Sequence, residues 1–290
     1  MSAPADQTAA IIGLGRMGGP MADNAARAGV DLRVFDISAA AVAPRVELGA
    51  VATASPAEAA DGVSVVSLVV FDDAQATAVI TGPDGVLRTL APGSVVAVHT
   101  TVTLDTIHAL AAAAQAQGVH LLDAGISGGE EGAAGGTLLT MVGGTTEAVE
   151  IARPFLDTFS KEVLHAGPLG AGMALKLARN AAGYSMMAVV HESMVLAAAA
   201  GVDLDQLRHV ISETGVLKQA MSSFLLGGPA PLPDDDTSQM RTAMEHLARL
   251  GDKDLAHTLD LAGRLDLDLP LTTITRAEFP AVARLTRLPD

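Results

Sequence analysis

Two polar side chains stand four residues apart in a stripe that is otherwise apolar or small: Gly172, Met173, Lys176, Asn180, Gly183 and Met187. On a helix that spacing puts Lys176 and Asn180 on one face, about one turn apart. A lysine so placed has two readings. Its stem can lie along the apolar face while the ammonium reaches water. Alternatively the ammonium is desolvated, its pKa falls, and it can give and take a proton near working pH. A second group of residues lies far upstream, where Gly13-Leu14-Gly15-Arg16-Met17-Gly18 follows the apolar run Ala9–Ile12 and precedes a helical pattern over Gly19–Ala28. In that context the first glycine makes a tight turn, the second lets the backbone approach a pyrophosphate, and the third packs helix against strand. The helix N-terminus adds amide N–H groups and a partial positive charge. The next apolar run, Leu32–Phe35, ends at Asp36, 18 residues beyond Gly18. A carboxylate there accepts both adenosine ribose hydroxyls and repels a 2′-phosphate. The pattern predicts NAD rather than NADP, with Arg33 able to moderate the preference. The other reading of Asp36 is a cap for the helix that follows.

Positioning these groups requires an α/β frame. Short apolar runs at Ala9–Ile12, Leu32–Phe35, Val63–Val70, Val95–Val98, Val119–Leu122, Leu138–Val142 and Glu162–Leu164 alternate with Ala-rich stretches of helical length. Such alternation is the mark of βαβ units on a mostly parallel sheet. After "AGPLGAG" at Ala166–Gly172 the strand signals stop and helical patterns continue to the C-terminus. We therefore expect a Rossmann-like dinucleotide-binding domain over residues 1–166 and an all-α domain over 167–290. Ala181–Ala200 carries His191 and Glu192 and reads as a buried helix, because a Glu at membrane depth is costly. "GGPAPLPDDD" at Gly227–Asp236 reads as an acidic loop between helices.

A net charge of −15 argues against nucleic acid or an anionic membrane as partner. An anionic ligand must then be held by a few local donors against the field of the whole chain. With no cysteine there is neither disulfide nor thiol chemistry, and the eight histidines show no metal-ligand spacing, so no metal is expected. "MSAPADQT" lacks a basic region followed by an apolar core, which predicts no secretory leader and a cytoplasmic protein.

The opening stretch "AAIIGLGRMGGPMADNAARAG" (Ala9–Gly29) resembles the start of the β-hydroxyacid dehydrogenase family. Three further segments extend the likeness: "DAGISGGEEGAAGGTLLTMVGG" at Asp123–Gly144, "GAGMALKLARN" at Gly170–Asn180 and "KDLA" at Lys253–Ala256. The resemblance implies a Rossmann-like N-terminal domain, a long connecting helix and an all-α C-terminal domain taking part in a homodimer or homotetramer. It also implies an NAD-dependent oxidation of a small 3-hydroxy acid, such as 3-hydroxyisobutyrate, glycerate or a sulfonate analogue. Lys176 would take the hydroxyl proton as hydride leaves for nicotinamide, and Asn180 would orient the lysine or the hydroxyl. Ser127, Gly128 and Gly129 can present a hydroxyl with successive amides, a nest for a carboxylate, or can simply form a turn; the resemblance implies the former. It further places Val70 and Phe71 of "VVFDD" (Val69–Asp73) against the cofactor, Thr101 near the nicotinamide ribose and Lys253 beside the nicotinamide.

The chain departs from the family's pattern at Phe71 and Gly125, where prolines are usual, at Arg179, where an asparagine is frequent, and at His246, where an aromatic is common. These departures leave the substrate open, with Lys218 and His246 as candidates for reading it. Two other readings remain: an imine reductase, whose relatives usually lack a lysine at position 176, and a non-catalytic dinucleotide-binding protein, which would be expected to have lost it.

Overall fold

The computed structural model describes residues 8–219 and 229–288; "MSAPADQ" and the first two residues of the acidic segment lie outside them. The chain forms two compact units, Met1–Asn180 and Ala181–Asp290. The first unit contains β1 (Thr8–Ile12), α1 (Gly18–Arg27), β2 (Asp31–Phe35), α2 (Ala39–Glu47), β3 (Val51–Ala52), α3 (Pro56–Ala60) and β4 (Val65–Leu68). It continues with α4 (Asp73–Thr81), β5 (Val95–Val98), α5 (Leu104–Gln115), β6 (His120–Ser127), α6 (Gly129–Ala134), β7 (Leu138–Gly143), α7 (Thr146–Leu156) and β8 (Ser160–Gly167).

These strands form one sheet in the order β3-β2-β1-β4-β5-β6-β7-β8. The pairs from β3 to β6 are parallel, β6 and β7 are antiparallel, and β7 and β8 run parallel to each other. Both faces are covered, which is why the strands read as unbroken apolar runs. Ala9 and Ile11 of β1 enter one core, with Met21 of α1 and Phe155 of α7, while Ala10 and Ile12 enter the other, with Ile80 of α4 and Ile107 of α5. Each of the larger of these side chains, such as Ile11, Ile12 or Phe155, contributes about 1.5–3 kcal/mol. The fold is Rossmann-like, and the order reverses between β1 and β4, so the crevice for a ligand opens at the carboxyl ends of those strands.

Two sequence expectations need correction. Of the run Val119–Leu122, residues 120–122 open a longer strand that reaches Ser127, because β7 offers Asp123–Ser127 an antiparallel partner from the point where the ladder with β5 ends. The segment expected as substrate loop is therefore strand as far as Ser127.

A long helix, α8 (Ala171–Ala199), follows, then α9 (Leu204–Thr214), α10 (Val216–Gln219), α11 (Gln239–Arg264) and α12 (Pro270–Val282). The second correction falls on Ala181–Ala200. Within the chain only Glu192 and Ala197 of that run are buried, and Tyr184 and Met187 are two-thirds exposed. Glu192 explains its own burial: its carboxylate accepts from the amides of Leu271 and Thr272 and from the Thr272 hydroxyl, at 2.7–2.9 Å, at the start of α12. Among the described residues no helix is long and apolar enough to cross a membrane.

Candidate active site

The turn after β1 is built as its glycines suggest. Gly13 has φ +90°, and a Cβ there would lie 2.2 Å from the Val69 carbonyl oxygen; one on Gly18 would lie 2.0 Å from the Gly13 carbonyl oxygen. The fold itself demands both glycines. Gly15 differs, since a Cβ there would meet nothing within 4 Å. Its bareness serves something other than the chain's own packing. It faces a cavity of about 610 Å³ also lined by Met17, Asp36, Val70 and Phe71. The helix behind it, α1, has no side-chain N-cap and no acidic residue in its first turn, so its amide end is suited to an anion. These features fit a dinucleotide diphosphate.

Asp36 accepts from the Leu14 amide at 2.7 Å and from the Ser38 amide at 2.8 Å. The second bond forms the local turn into α2, so the capping reading has substance. A carboxylate nevertheless has about four acceptor positions, and two remain for ribose hydroxyls. Arg33 is turned elsewhere: its guanidinium donates to the carbonyls of Glu58 and Asp61 at the end of α3. Arg16 is the one basic residue among those lining the cavity, and it pairs with Glu130 of α6.

Loops on the far side of the crevice are pinned. The Thr100 hydroxyl accepts from the Val70 amide at 2.9 Å and donates to the Val70 carbonyl at 3.0 Å. Asp73 accepts from the Thr103 amide and the hydroxyls of Thr103 and Thr106, and the Thr106 hydroxyl leads the contacts that hold its carboxyl below the usual range. Thr101 and the Phe71 side chain are exposed. Thr100, which sequence reasoning passed over, is the residue that grips the loop carrying Val70.

Lys176 lies on α8 near the end of β6. Its ammonium donates to the Ile126 carbonyl, and its stem packs on Gly125, where an added Cβ would stand 2.8 Å from the lysine Cβ. Burial, and then the nearby Arg179 guanidinium, hold its pKa below the ordinary lysine value. The free-snorkelling alternative does not describe this side chain. The start of α8 is clamped by Asp123, fully buried, which accepts from the amides of Gly170 at 2.7 Å and Met173 at 2.6 Å. Burial pushes the Asp123 carboxyl upward, against the pull of those amides. Neither Asp123 nor Gly125 could be assigned from spacing, because their partners lie about fifty positions away.

Ser127 closes β6, and Gly128 and Gly129 turn the chain into α6 with φ of +141° and +65°. The first turn of α6 carries Glu130 and Glu131, so an anion at this loop needs compensating cations. Arg16 supplies one through its pair with Glu130. The Asn180 side-chain oxygen accepts from Arg179 at 3.3 Å. In the helical unit Lys253 is exposed on α11 and paired with Asp254 at 3.2 Å, and Lys218 and His246 are exposed. Among the described residues no cluster of His, Asp or Glu is arranged to hold a metal.

Comparison with known proteins covers nearly all of the described chain. Residues 8–167 match the NAD binding domain of 6-phosphogluconate dehydrogenase, and residues 170–287 match the domain described as NAD-binding of NADP-dependent 3-hydroxyisobutyrate dehydrogenase. The chain belongs to the β-hydroxyacid dehydrogenase family. Among its relatives, an NAD-dependent L-serine dehydrogenase of Pseudomonas aeruginosa is 39% identical over 70% of this chain and 68% of its own length. The 3-hydroxyisobutyrate dehydrogenase of the same organism is 33% identical over 93% of this chain and 90% of its own. A crystal structure from Mycobacterium avium 104, whose protein is described only as an oxidoreductase, superposes with a TM-score of 0.83 at 34% identity, covering 96% of this chain and 99% of the other. This member of the family is an NAD-dependent hydroxyacid dehydrogenase.

Proposed function

We propose that the dehydrogenase reversibly oxidises a small 3-hydroxy acid, with Lys176 as general acid/base. The observation that carries this reading is the placement of Lys176: half-buried, hydrogen-bonded to a strand-end carbonyl and depressed in pKa. The chemistry that NAD would supply when bound is acceptance of a hydride from the hydroxyl-bearing carbon. Lys176 in its neutral form takes the hydroxyl proton in that direction and returns it in the other. Its lowered pKa keeps more of the lysine neutral at working pH, where proton transfer is efficient. Asn180 orients the lysine or the hydroxyl.

Gly13, Leu14, Gly15, Arg16, Met17 and Gly18 would hold the cofactor's diphosphate and Asp36 its ribose, with Val70, Phe71 and Thr101 along the opposite loops. Asp36 favours NAD over NADP, because a 2′-phosphate would be repelled and Arg33, engaged with α3, is not aimed to offset it. The role of Lys253 rests on the "KDLA" resemblance. Ser127, Gly128 and Gly129 grip the substrate carboxylate, helped by Arg179, which has no carboxylate partner among the described residues and stands one turn from Lys176. In a chain of net charge −15 the Arg179 guanidinium, which stays charged, is the local attraction that an anionic substrate needs. An imine reductase or a non-catalytic nucleotide-binding protein would leave this arrangement without a task.

The deciding experiment follows NADH or NADPH formation across a panel containing 3-hydroxyisobutyrate, L-serine, glycerate and a 3-hydroxy sulfonate. Turnover of at least one carboxylate with NAD, and much less with NADP, is expected. Turnover with none of them, or only with NADP, would overturn the reading.

A further inference from the structure

The parallel ladder between β5 and β6 ends at the pair Val98 and Asp123. Beyond it β5 leaves the sheet, while β6 runs on to Ser127 against β7. The first β6 carbonyl past this point, that of Ala124, has no strand partner on the β5 side and is met instead by the imidazole of His99, Nδ1 to oxygen 2.7 Å. A carbonyl only accepts, so the ring proton sits on Nδ1. Burial, opposed by that hydrogen bond, brings the imidazole pKa to about 4, so the ring stays neutral at ordinary pH. Bare Nε2 then accepts from the Ser67 hydroxyl of β4 at 2.8 Å. His99 is 3% exposed and stands edge-on to Phe159, with ring centroids 5.8 Å apart. One residue beyond Ala124 comes Gly125, on which the Lys176 stem packs, and then Ile126, whose carbonyl holds the Lys176 ammonium. One residue beyond His99 comes Thr100, which grips Val70.

We propose that His99 is a positioning residue for proton transfer. By capping the Ala124 carbonyl it fixes where β6 parts from β5, and so where the Ile126 carbonyl presents Lys176. The inference rests on Lys176 being the acid/base, and it assigns the Nδ1 donor, rather than bulk, as the property that matters, with Nε2 contributing only through the Ser67 hydroxyl that orients the ring.

Asparagine and glutamine separate these properties, since the Asn amide nitrogen reproduces Nδ1 and the Gln amide nitrogen reproduces Nε2. Both variants, with Lys176→Ala in parallel, are assayed for kcat, NAD affinity, melting temperature and the solvent deuterium isotope effect on kcat. In His99→Gln we expect kcat to fall about tenfold to a hundredfold, the scale of a misplacement near 1 Å. The isotope effect should rise as proton transfer becomes limiting, with NAD affinity little changed. His99→Asn should recover most of the loss. Ser67→Ala, a milder probe that keeps the ring, should show a smaller loss in the same direction and serves if the Gln variant does not fold. Equal losses in Asn and Gln that follow melting temperature, without a raised isotope effect, would reduce His99 to a packing residue and overturn the proposal. So would wild-type turnover in His99→Gln, or in Ser67→Ala where that probe stands in, while Lys176→Ala is inactive. Retained turnover in Lys176→Ala would instead overturn the reading of the lysine, and this inference with it.

Discussion

At the scale of single residues, candidates could be named wherever a residue type and a short spacing sufficed. The three glycines, Asp36 and the Lys176–Asn180 pair all fall in that class. The glycines also offer a clean separation of roles. Gly15→Val should leave melting temperature unchanged, since nothing lies within 4 Å, yet weaken NAD binding more than about tenfold by obstructing the diphosphate. Gly13→Val should instead destabilise the fold, because its φ of +90° and the Val69 carbonyl both forbid a side chain. Titration of NAD and a thermal melt on the two variants distinguish these outcomes. Arg179 makes a second test. Its charge helps depress the Lys176 pKa, so Arg179→Gln should raise that pKa and move the rising limb of the pH profile for hydroxyacid oxidation to higher pH. It should also raise KM for the anionic substrate by about tenfold or more, the scale of a lost charge-assisted hydrogen bond. What spacing could not reveal were residues that act across the sheet. His99 and Asp123 find their partners 25 to 50 positions away, and only the fold brings them together.

Elements were legible where both faces of the sheet are buried, because the strands then read as plain apolar runs. They were less legible where pairing decides: β3 is only two residues long, and β6 is lengthened by β7 rather than by its own composition. The helix over Ala181–Ala200 was expected from its composition, but its burial was not correctly expected, since apolar content says nothing about what covers a helix. Its one buried acid has a definite task. The helix α12 begins with Leu269 at its N-cap and no side-chain cap, and Glu192 supplies the missing acceptor from α8. Burial pushes the Glu192 carboxyl upward, but the Leu271 and Thr272 bonds outweigh it and hold the pKa below the usual range. Stability from this contact is present at neutral pH and is lost as pH falls through that lowered pKa. Glu192→Ala should cost about 1–2 kcal/mol, as for loss of an N-cap, and lower the melting temperature by about 2–4 °C for each kcal/mol. An unchanged melting temperature at neutral pH would show that α12 does not need the cap.

For the molecule as a whole, the apolar side chains exposed on the helical unit are the main fact left to explain. Tyr184, Met187, Val210 and Ile274 are each more than half exposed in the single chain, more than isolated surface positions would account for. We propose that a second copy covers them, and light scattering should then report twice the single-chain mass or a higher multiple; a monomer at micromolar concentration would refute this. We propose, more narrowly, that the fold delivers a half-buried lysine to the reacting hydroxyl of a substrate held beside NAD. That delivery is tested most directly by comparing wild type with Lys176→Ala, following NADH formation under saturating NAD and, separately, NAD affinity by titration. Turnover should fall about 10²-fold or more, the scale of a lost general acid/base, while NAD affinity changes little. Turnover within tenfold of wild type would contradict it.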